Sequence, residues 1–356
     1  MSMNPAMNEG MKDEAKVANF FIQLGYFTRP HIQIYPSERT QKVSDIDVFA
    51  VKFDRYLNRQ AVLVEVKKNS NRIADMFKLY GFKAYYGNPT TYFVSNRIGE
   101  IFLDIGKSLG INAITFMKLG EMSQSEGKDV DEKFTDEDIA WVEKSLKTIR
   151  DEFDKELFWK YHYLWLERNP YTRFFRIQHI FTKTKVIPEN VKAEVLWFRK
   201  ELFIEAFLAH LDMANDCIGI EAEKIDRYVG EKFYDIGTPK EGKLKIKQGV
   251  DNLLSILKKF SEEQNQSIEW PTIEVIPKYL ENLVSLIKQT IKNARYVNKY
   301  FLLNDHIYRA SLHNQPISVD TVAKYSVQAR GLKDTNDLIL RILHDGPIMH
   351  DFNNFV

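Results

Sequence analysis

Two apolar segments between residues 44 and 68, SDIDVFAVKF and QAVLVEVKK, contain charged residues at regular spacing. Side chains alternate between the two faces of a β-strand. Asp45 and Asp47 therefore share one face of the first predicted strand, and Glu65 and Lys67 share one face of the second. The opposite face of each strand is apolar. Charges gathered on one face of an otherwise buried hairpin indicate a site with a chemical role.

The register of this hairpin decides which charges meet. A turn centred near Tyr56 would place Asp47 opposite Glu65 and Asp45 opposite Lys67. A cross-strand ion pair, worth about 0.2–1 kcal/mol, would account for Asp45 and Lys67, whereas two facing carboxylates repel each other. A divalent cation removes that conflict, because Mg²⁺ binds through one or two carboxylates and keeps several waters. The spacing predicts a metal site at the facing carboxylates of Asp47 and Glu65, with a purely structural ion pair as the alternative. Asp45 is the rival of Asp47 as a metal ligand.

The flanking segments predict the elements that would position these side chains. Helical spacing predicts a helix over 12–25, ended by Gly25, and a helix after the hairpin with an apolar stripe through Ile73, Phe77 and Tyr80. Strands are predicted for HIQIYP, TTYFVSN and INAITFMK, and a helix for GEIFLDIGKSLG. The order α-β-β-β-α-β-α-β predicts an α/β fold, with a mixed central sheet covered by helices on both faces.

Length and composition predict a second domain. The 356 residues exceed the roughly 100–200 residues of a typical domain. The polar segment 122–134 is the predicted linker between an α/β domain over 1–121 and an all-α domain over 135–356. A capping-box pattern at Thr135 and Asp138 starts the helical part. Long helical segments are predicted at 188–215, 243–264 and 273–302, with breaks near Pro188, Pro239, Pro271 and Pro316.

Composition excludes several classes of protein. A hydrophobic content of 44% with 28% charged residues is typical of a soluble globular chain. We find no apolar run long enough for a membrane span and no apolar segment of a secretion signal in MSMNPAMNEGMKDEAK. Cys217 is the only cysteine, so a disulfide within the chain and a zinc site built on cysteines are excluded. We therefore expect a cytoplasmic protein with no membrane partner.

The pattern DIDVFAV, a turn and AVLVEVKK resembles the PD-(D/E)xK nuclease superfamily, which has the fold of the restriction endonucleases. The residues that match its motif are Asp47 on the second core strand and Glu65 with Lys67 on the third. Glu14, on the helix before the first strand, matches the additional glutamate of many members. The resemblance covers about residues 10–120 and implies a restriction-endonuclease-like α/β domain.

The resemblance implies a metal-dependent hydrolase that cleaves phosphodiester bonds, a DNA endonuclease rather than an RNA endonuclease, in restriction, phage defence or repair. It implies that Asp47, Glu65 and the main-chain carbonyl of Val66 bind Mg²⁺, or Mn²⁺ in its place. Lys67 would orient the attacking water and stabilise charge on phosphorus. Glu14 would hold a metal-bound water or a second ion.

Basic residues follow the motif. Lys68, Arg72, Lys78 and Lys83 could neutralise the phosphates of a nucleic acid, with an ordinary solvated helix face as the alternative. Two further partners are compatible with this interpretation: a second copy of the chain, since cutting both strands needs two sites, and a protein bound by the helical domain. A nucleic-acid-binding or protein-interaction module that does not cleave is the alternative function.

Two other patterns are rejected. Six residues separate Gly99 from Gly106 in GEIFLDIGKS, where a phosphate-binding loop has four, and the segment predicts a helix. Arg173 and His179 are spaced like the Arg–His pair of HEPN-type ribonucleases, but such spacing often arises by chance. The tryptophans are interpreted as core residues rather than platforms for bases: Trp141, Trp159, Trp165, Trp197 and Trp270.

Overall fold

A mixed five-stranded sheet lies at the centre of the N-terminal part of the chain. A computed structural model describes residues 5–35, 42–68, 72–126, 133–237, 279–312 and 329–344. The strands are adjacent in chain order: β1 Phe27–Ile34, β2 Ser44–Phe53, β3 Arg59–Lys67, β4 Thr90–Ser95 and β5 Asn112–Thr115. The first three pair antiparallel, and β3, β4 and β5 pair parallel.

Helices cover both faces of this sheet. The helices of this part are α1 Pro5–Gln23, α2 Ile73–Tyr85, α3 Glu100–Leu109 and α4 Phe116–Glu126. Apolar residues of α1 and α4 pack on one face, with Val48, Val64 and Val94 of the sheet. Those of α2 and α3 pack on the other face, with Phe49 and Phe93. The predicted element order and the predicted two-sided α/β arrangement are therefore confirmed.

The hairpin has the predicted register. Val48 pairs with Val64, Phe49 with Leu63 and Val51 with Ala61, which centres the turn on Tyr56. At the end of α1, Gly25 adopts a φ of +78°, the left-handed conformation that commonly ends a helix and that glycine adopts without steric cost.

One local expectation was wrong. The predicted strand INAITFMK is a strand only over Asn112–Thr115, because the Thr115 hydroxyl accepts a hydrogen bond from Lys118 N and caps α4. The helix predicted from the spacing of Ile73, Phe77 and Tyr80 is present as α2, but these three residues are exposed and α2 packs on the sheet through Met76 and Leu79.

The rest of the described chain is helical. Its helices are α5 Asp136–Thr148, α6 Lys155–Leu164, α7 Pro170–Lys183, α8 Lys192–Asp216, α9 Ile225–Gly237, α10 Leu280–Lys292, α11 Ala294–Leu312 and α12 Ala329–His344, with a π-helical turn at Ile149–Phe153 and a 3₁₀ turn at Glu189–Val191. The capping box exists: Asp138 N donates to Thr135 Oγ1 at 3.2 Å and Thr135 N donates to Asp138 Oδ2 at 2.7 Å. None of the described helices combines the length and apolar composition needed to cross a bilayer.

Several helix boundaries differ from the prediction or lie beyond the described residues. The predicted segment 188–215 matches α8 closely, whereas 273–302 contains a break at Asn293 between α10 and α11. The start of the predicted linker 122–134 belongs to α4, and residues 127–132 are outside the described part of the chain. Also outside are the predicted helix 243–264, Trp270 and the breaks at Pro239, Pro271 and Pro316.

The helical region packs directly against the sheet. Arg29 of β1 forms ion pairs with Glu201 of α8 and Asp305 of α11, and all three side chains are buried. The ring of Trp165 lies 5.6 Å from that of Phe49, centroid to centroid. Trp165 and Trp197 are core residues and Trp159 is half-buried, whereas Trp141 is 37% exposed. One apolar core therefore runs from the sheet into the helices.

Candidate active site

The predicted site lies where the pairing of β2 with β3 ends. Asp47 directly precedes Val48 and Glu65 directly follows Val64, the last paired residues of the two strands. Both carboxylates are buried, with 4% exposure for Asp47 and 2% for Glu65. Asp47 Oδ2 accepts a hydrogen bond of 2.7 Å from the main-chain N–H of Val66. This bond fixes the Asp47 carboxylate beside Glu65, the arrangement predicted for a metal site.

Two lysines connect three carboxylates here. Lys67 Nζ lies 2.5 Å from Glu65 Oε1 and 3.3 Å from Asp47 Oδ2. Lys78 Nζ, which reaches the sheet from α2, lies 2.7 Å from Glu65 Oε2 and 2.9 Å from Asp45 Oδ1. The cross-strand pair of Asp45 with Lys67 is therefore not the observed pairing: Lys78 occupies that position, and Lys67 lies between Asp47 and Glu65.

The carboxylates of this cluster have different proton affinities. Burial and the neighbouring charge of Asp47 raise the pKa of Glu65 to about 7, although two lysines oppose the shift. Burial also disfavours the charged form of Asp45, but Lys78 and Lys42 outweigh it and hold the pKa of Asp45 well below its usual range. Near neutral pH, Glu65 thus exchanges a proton more readily than Asp45 does.

The raised pKa of Glu65 predicts a stability change in the metal-free protein. The folded form binds more protons than the unfolded form between the ordinary pKa near 4.5 and the folded pKa of about 7. The free energy of unfolding should therefore fall as pH rises through this window, by up to about 3 kcal/mol from this group. Urea titrations of wild type and Glu65→Gln in EDTA at several pH values measure the difference. A constant difference between pH 4.5 and 7.5 would contradict the raised pKa.

Glu14 lies at the same end of the sheet and contacts His31. Glu14 Oε2 is 3.0 Å from His31 Nδ1. Burial raises the pKa of Glu14, and the charges of Asp47 and Asp45 add to the shift, so these carboxylates lie within electrostatic reach of one another. Burial alone would lower the pKa of His31, but the hydrogen bond and charge of Glu14 raise it overall.

His31 is a site residue that the sequence did not identify. It lies between Pro30 and Ile32, whose partners on β2 are Val48 and Ile46, so His31 occupies the row of Asp47. Its φ of +56° is in the left-handed region, which is costly for a non-glycine residue and concentrates at functional sites. Only the pairing of β1 with β2 brings it to the cluster, and no spacing along the chain predicts that register.

The four predicted phosphate-binding residues have unlike environments. Lys68 is exposed and pairs with Glu9 at 2.7 Å, and Arg72 is exposed at the start of α2. Lys78 lies inside the acidic cluster. Lys83 Nζ donates to the carbonyls of Gly110 and Leu109 at 2.5 and 3.3 Å and so caps the C-terminal end of α3. Lys78 and Lys83 are thus engaged within the protein.

The rejected patterns have structural explanations. Gly99 precedes α3 and Gly106 lies within it, so that segment is a helix as predicted. Arg173 forms an ion pair of 2.6 Å with Asp212, whereas His179 lines a different cavity, and the two do not form a joint site.

The oxygen atoms at this site provide only part of a ligand set for a hard cation such as Mg²⁺. The described residues contain no group of three or more His, Cys, Asp or Glu side chains arranged to hold a metal ion. Two buried carboxylates with an adjacent main-chain carbonyl are nevertheless the oxygen ligands that Mg²⁺ uses together with water. Glu65 Oε1 is buried, and despite its close contact with Lys67 it accepts no well-aligned hydrogen bond within the described part of the chain. A metal ion would therefore have to displace Lys67 Nζ to use this oxygen as a ligand.

Comparisons with known proteins add no relatives. No protein-family model, curated protein or solved structure matches this chain.

Proposed function

We propose that the chain is a metal-dependent nuclease with a restriction-endonuclease-like N-terminal domain of the PD-(D/E)xK type. One observation carries the proposal: Asp47 and Glu65 are buried side by side at a strand end, with Lys67 Nζ in contact with both. Two facing carboxylates destabilise a sheet and are unexpected in a core without a chemical role. Asp47, which is more buried than Asp45 and lies next to the last paired residues as Glu65 does, is the proposed ligand.

In this proposal, Asp47, Glu65 and the Val66 carbonyl hold Mg²⁺ or Mn²⁺. The bound ion supplies charge neutralisation and an acidified water. Lys67 would orient the attacking water and place its positive charge beside the phosphoryl oxygens, where negative charge develops. Lys78, through its contact with Glu65, holds that carboxylate in position.

Glu14 and His31 extend the proposed site toward α1. Their hydrogen bond holds Glu14 beside the acidic cluster, where it would bind a water of the ion or a second ion. The exposed Lys68 and Arg72 are the proposed contacts to backbone phosphates. Because Lys78 and Lys83 are engaged internally, they contribute less to that surface than their spacing along the helix predicted. DNA is the proposed substrate, by resemblance to the family, and a homodimer would cut both strands.

Cleavage assays test this function directly. Supercoiled plasmid, linear duplex, single-stranded DNA and RNA are incubated with Mg²⁺, Mn²⁺ or EDTA. We expect phosphodiester cleavage of at least one DNA substrate with Mg²⁺ or Mn²⁺ and none with EDTA. Cleavage that persists in EDTA, or the absence of cleavage with every substrate, would contradict the proposal.

A binding module without catalysis is the second candidate. The observation that favours it is that the charges of the cluster already balance, because three lysines contact its three acids: Lys42, Lys67 and Lys78 contact Asp45, Asp47 and Glu65. Calorimetry with Mg²⁺ and Mn²⁺ separates the two candidates. A nuclease binds the ion, and Asp47→Asn lowers that affinity, whereas a non-cleaving module with a self-balanced cluster shows no such binding.

A further inference from the structure

A polar cavity of about 390 Å³ lies where the start of β3 meets helices α7, α8 and α9. Arg59 begins β3 and lines this cavity, whereas Glu65 lies six residues further along the strand. At about 3.3 Å per residue, the cavity is about 20 Å from the acidic cluster. It is a separate site at the opposite end of the strand. Four basic residues line it: Arg59, Arg168, Arg173 and Lys232.

The acidic residues of the cavity wall already have partners. Asp212 lies 3.0 Å from Arg59 Nε through Oδ1 and 2.6 Å from Arg173 Nη2 through Oδ2. Asp216 Oδ2 accepts hydrogen bonds from the hydroxyls of Tyr171 and Tyr228, at 3.0 and 2.8 Å. Each of these carboxylates is therefore engaged within the protein.

Glu167, the third acid of the wall, lies 3.6 Å from Arg176. Its Oε1 also accepts a hydrogen bond of 3.1 Å from the main-chain N–H of Asn169. Asp212 and Glu167 are thus paired with arginines, whereas Asp216 keeps its negative charge, because its partners are neutral hydroxyls.

The basic residues, in contrast, are not fully compensated. Arg59 and Arg173 share the single carboxylate of Asp212, and Arg173 is only 8% exposed. The buried Nε atoms of both arginines make no well-aligned hydrogen bond within the described part of the chain, although Asp212 Oδ1 lies 3.0 Å from Arg59 Nε. No carboxylate among the described residues lies within ion-pair distance of Arg168 or Lys232. Buried N–H groups without a well-aligned acceptor are costly, and an anion in the cavity would reduce that cost.

We propose that this cavity binds the phosphate group of a phosphorylated ligand. Guanidinium groups donate two parallel hydrogen bonds to phosphate oxygens, and four cations around one cavity supply more donors than the protein itself uses. The volume lies within the range of about 300–1,000 Å³ typical of small-molecule sites. A free nucleotide and the terminal phosphate of a nucleic acid share this chemistry, and binding assays distinguish them. The site does not depend on the proposed nuclease function.

Isothermal titration calorimetry in EDTA tests the site, because the chelator removes any binding through a metal. The ligands are AMP, adenosine, and one short oligonucleotide with either a 5′-phosphate or a 5′-hydroxyl. We expect a phosphorylated ligand to bind and its unphosphorylated counterpart to bind at least ten-fold more weakly. AMP binding identifies a small-molecule site, and binding of the phosphorylated oligonucleotide alone identifies a nucleic-acid end as the ligand.

Variants at the rim locate the binding. Arg168→Gln and Lys232→Gln should each weaken binding of the phosphorylated ligand about ten-fold or more, since each removes a charged hydrogen bond. Both proteins should fold, because neither side chain forms an ion pair with a described carboxylate. Arg227→Gln, on the same helix as Lys232 but 85% exposed, is the matched control and should bind as wild type does. Lys67→Ala should also bind normally, which separates this site from the acidic cluster.

Two results would overturn the proposal: no binding of either phosphorylated ligand, or wild-type affinity in both rim variants. The result does not depend on whether the protein cleaves DNA, because the calorimetric signal is measured without metal.

Discussion

Replacing Lys67 by alanine should lower the rate of metal-dependent cleavage by about 10²–10³-fold, the loss typical of removing one charged group that stabilises a transition state. Lys67 Nζ contacts both proposed metal ligands, and burial is outweighed by their negative charges, which raise its pKa and keep the ammonium charged. The measurement is the single-turnover rate with saturating Mg²⁺ on the DNA substrate that wild type cleaves best.

The fold should survive this substitution. The Lys67 side chain is 27% exposed, and Glu65 keeps its ion pair with Lys78. Circular dichroism and the thermal midpoint verify that the variant is folded, and calorimetry with Mg²⁺ verifies that the two carboxylates still bind the ion. Lys118→Ala is the matched control, a surface lysine with 61% exposure on α4 that should retain full activity. A folded Lys67→Ala protein within about three-fold of the wild-type rate would remove Lys67 from the proposed mechanism.

Replacing Arg29 by methionine should destabilise the fold by about 3–5 kcal/mol, the cost of leaving buried charges without their partner. Arg29 donates to both oxygens of Glu201, at 3.0 and 3.2 Å from Nε and 3.0 Å from Nη2, and to Asp305 at 2.6 Å. Its guanidinium also lies 4.3 Å from the ring of Phe27 and 4.4 Å from that of Tyr308. The loss would therefore weaken the contact between β1 and helices α8 and α11.

Urea denaturation of wild type and variant measures this change. Because removing all buried charges is far less costly than removing one partner, the triple variant Arg29→Met, Glu201→Gln, Asp305→Asn should regain part of the lost stability. Arg227→Met, whose side chain is 85% exposed, serves as the surface control and should leave the midpoint unchanged. A loss below 1 kcal/mol for Arg29→Met would show that this network contributes little to joining the sheet and the helices.

Residues close together in the sequence determined most of what could be predicted about the site. The alternation of apolar and charged residues in the hairpin predicted strands β2 and β3, the turn centre at Tyr56 and the meeting of Asp47 with Glu65. These features depend only on a two-residue period and a short turn, which are local properties of the chain. The capping box at Thr135 and the glycine stop at Gly25 are local in the same sense.

Contacts between distant segments could be decided only by the tertiary structure. The packing of α2 on β3 brings Lys78 to Glu65 and Asp45, although its spacing suggested a phosphate-binding surface. The same packing leaves the apolar residues Ile73, Phe77 and Tyr80 exposed, because α2 contacts the sheet through Met76 and Leu79. The direction in which a helix docks depends on the shape of the surface it meets, which periodicity does not encode.

The largest difference between the sequence prediction and the structure concerns residues that no local sequence pattern identifies. His31 reaches the acidic cluster only through the register of β1 against β2, and Arg29 reaches Glu201 and Asp305 across 172 and 276 residues of chain. The sequence by itself determined which acidic residues and which lysine, Lys67, gather at the end of the hairpin, because they are neighbours along two adjoining strands. Only the tertiary structure decided which further lysines form ion pairs with these acids and which buried charges join the sheet to the helices. Those pairings depend on packing between elements far apart in the chain.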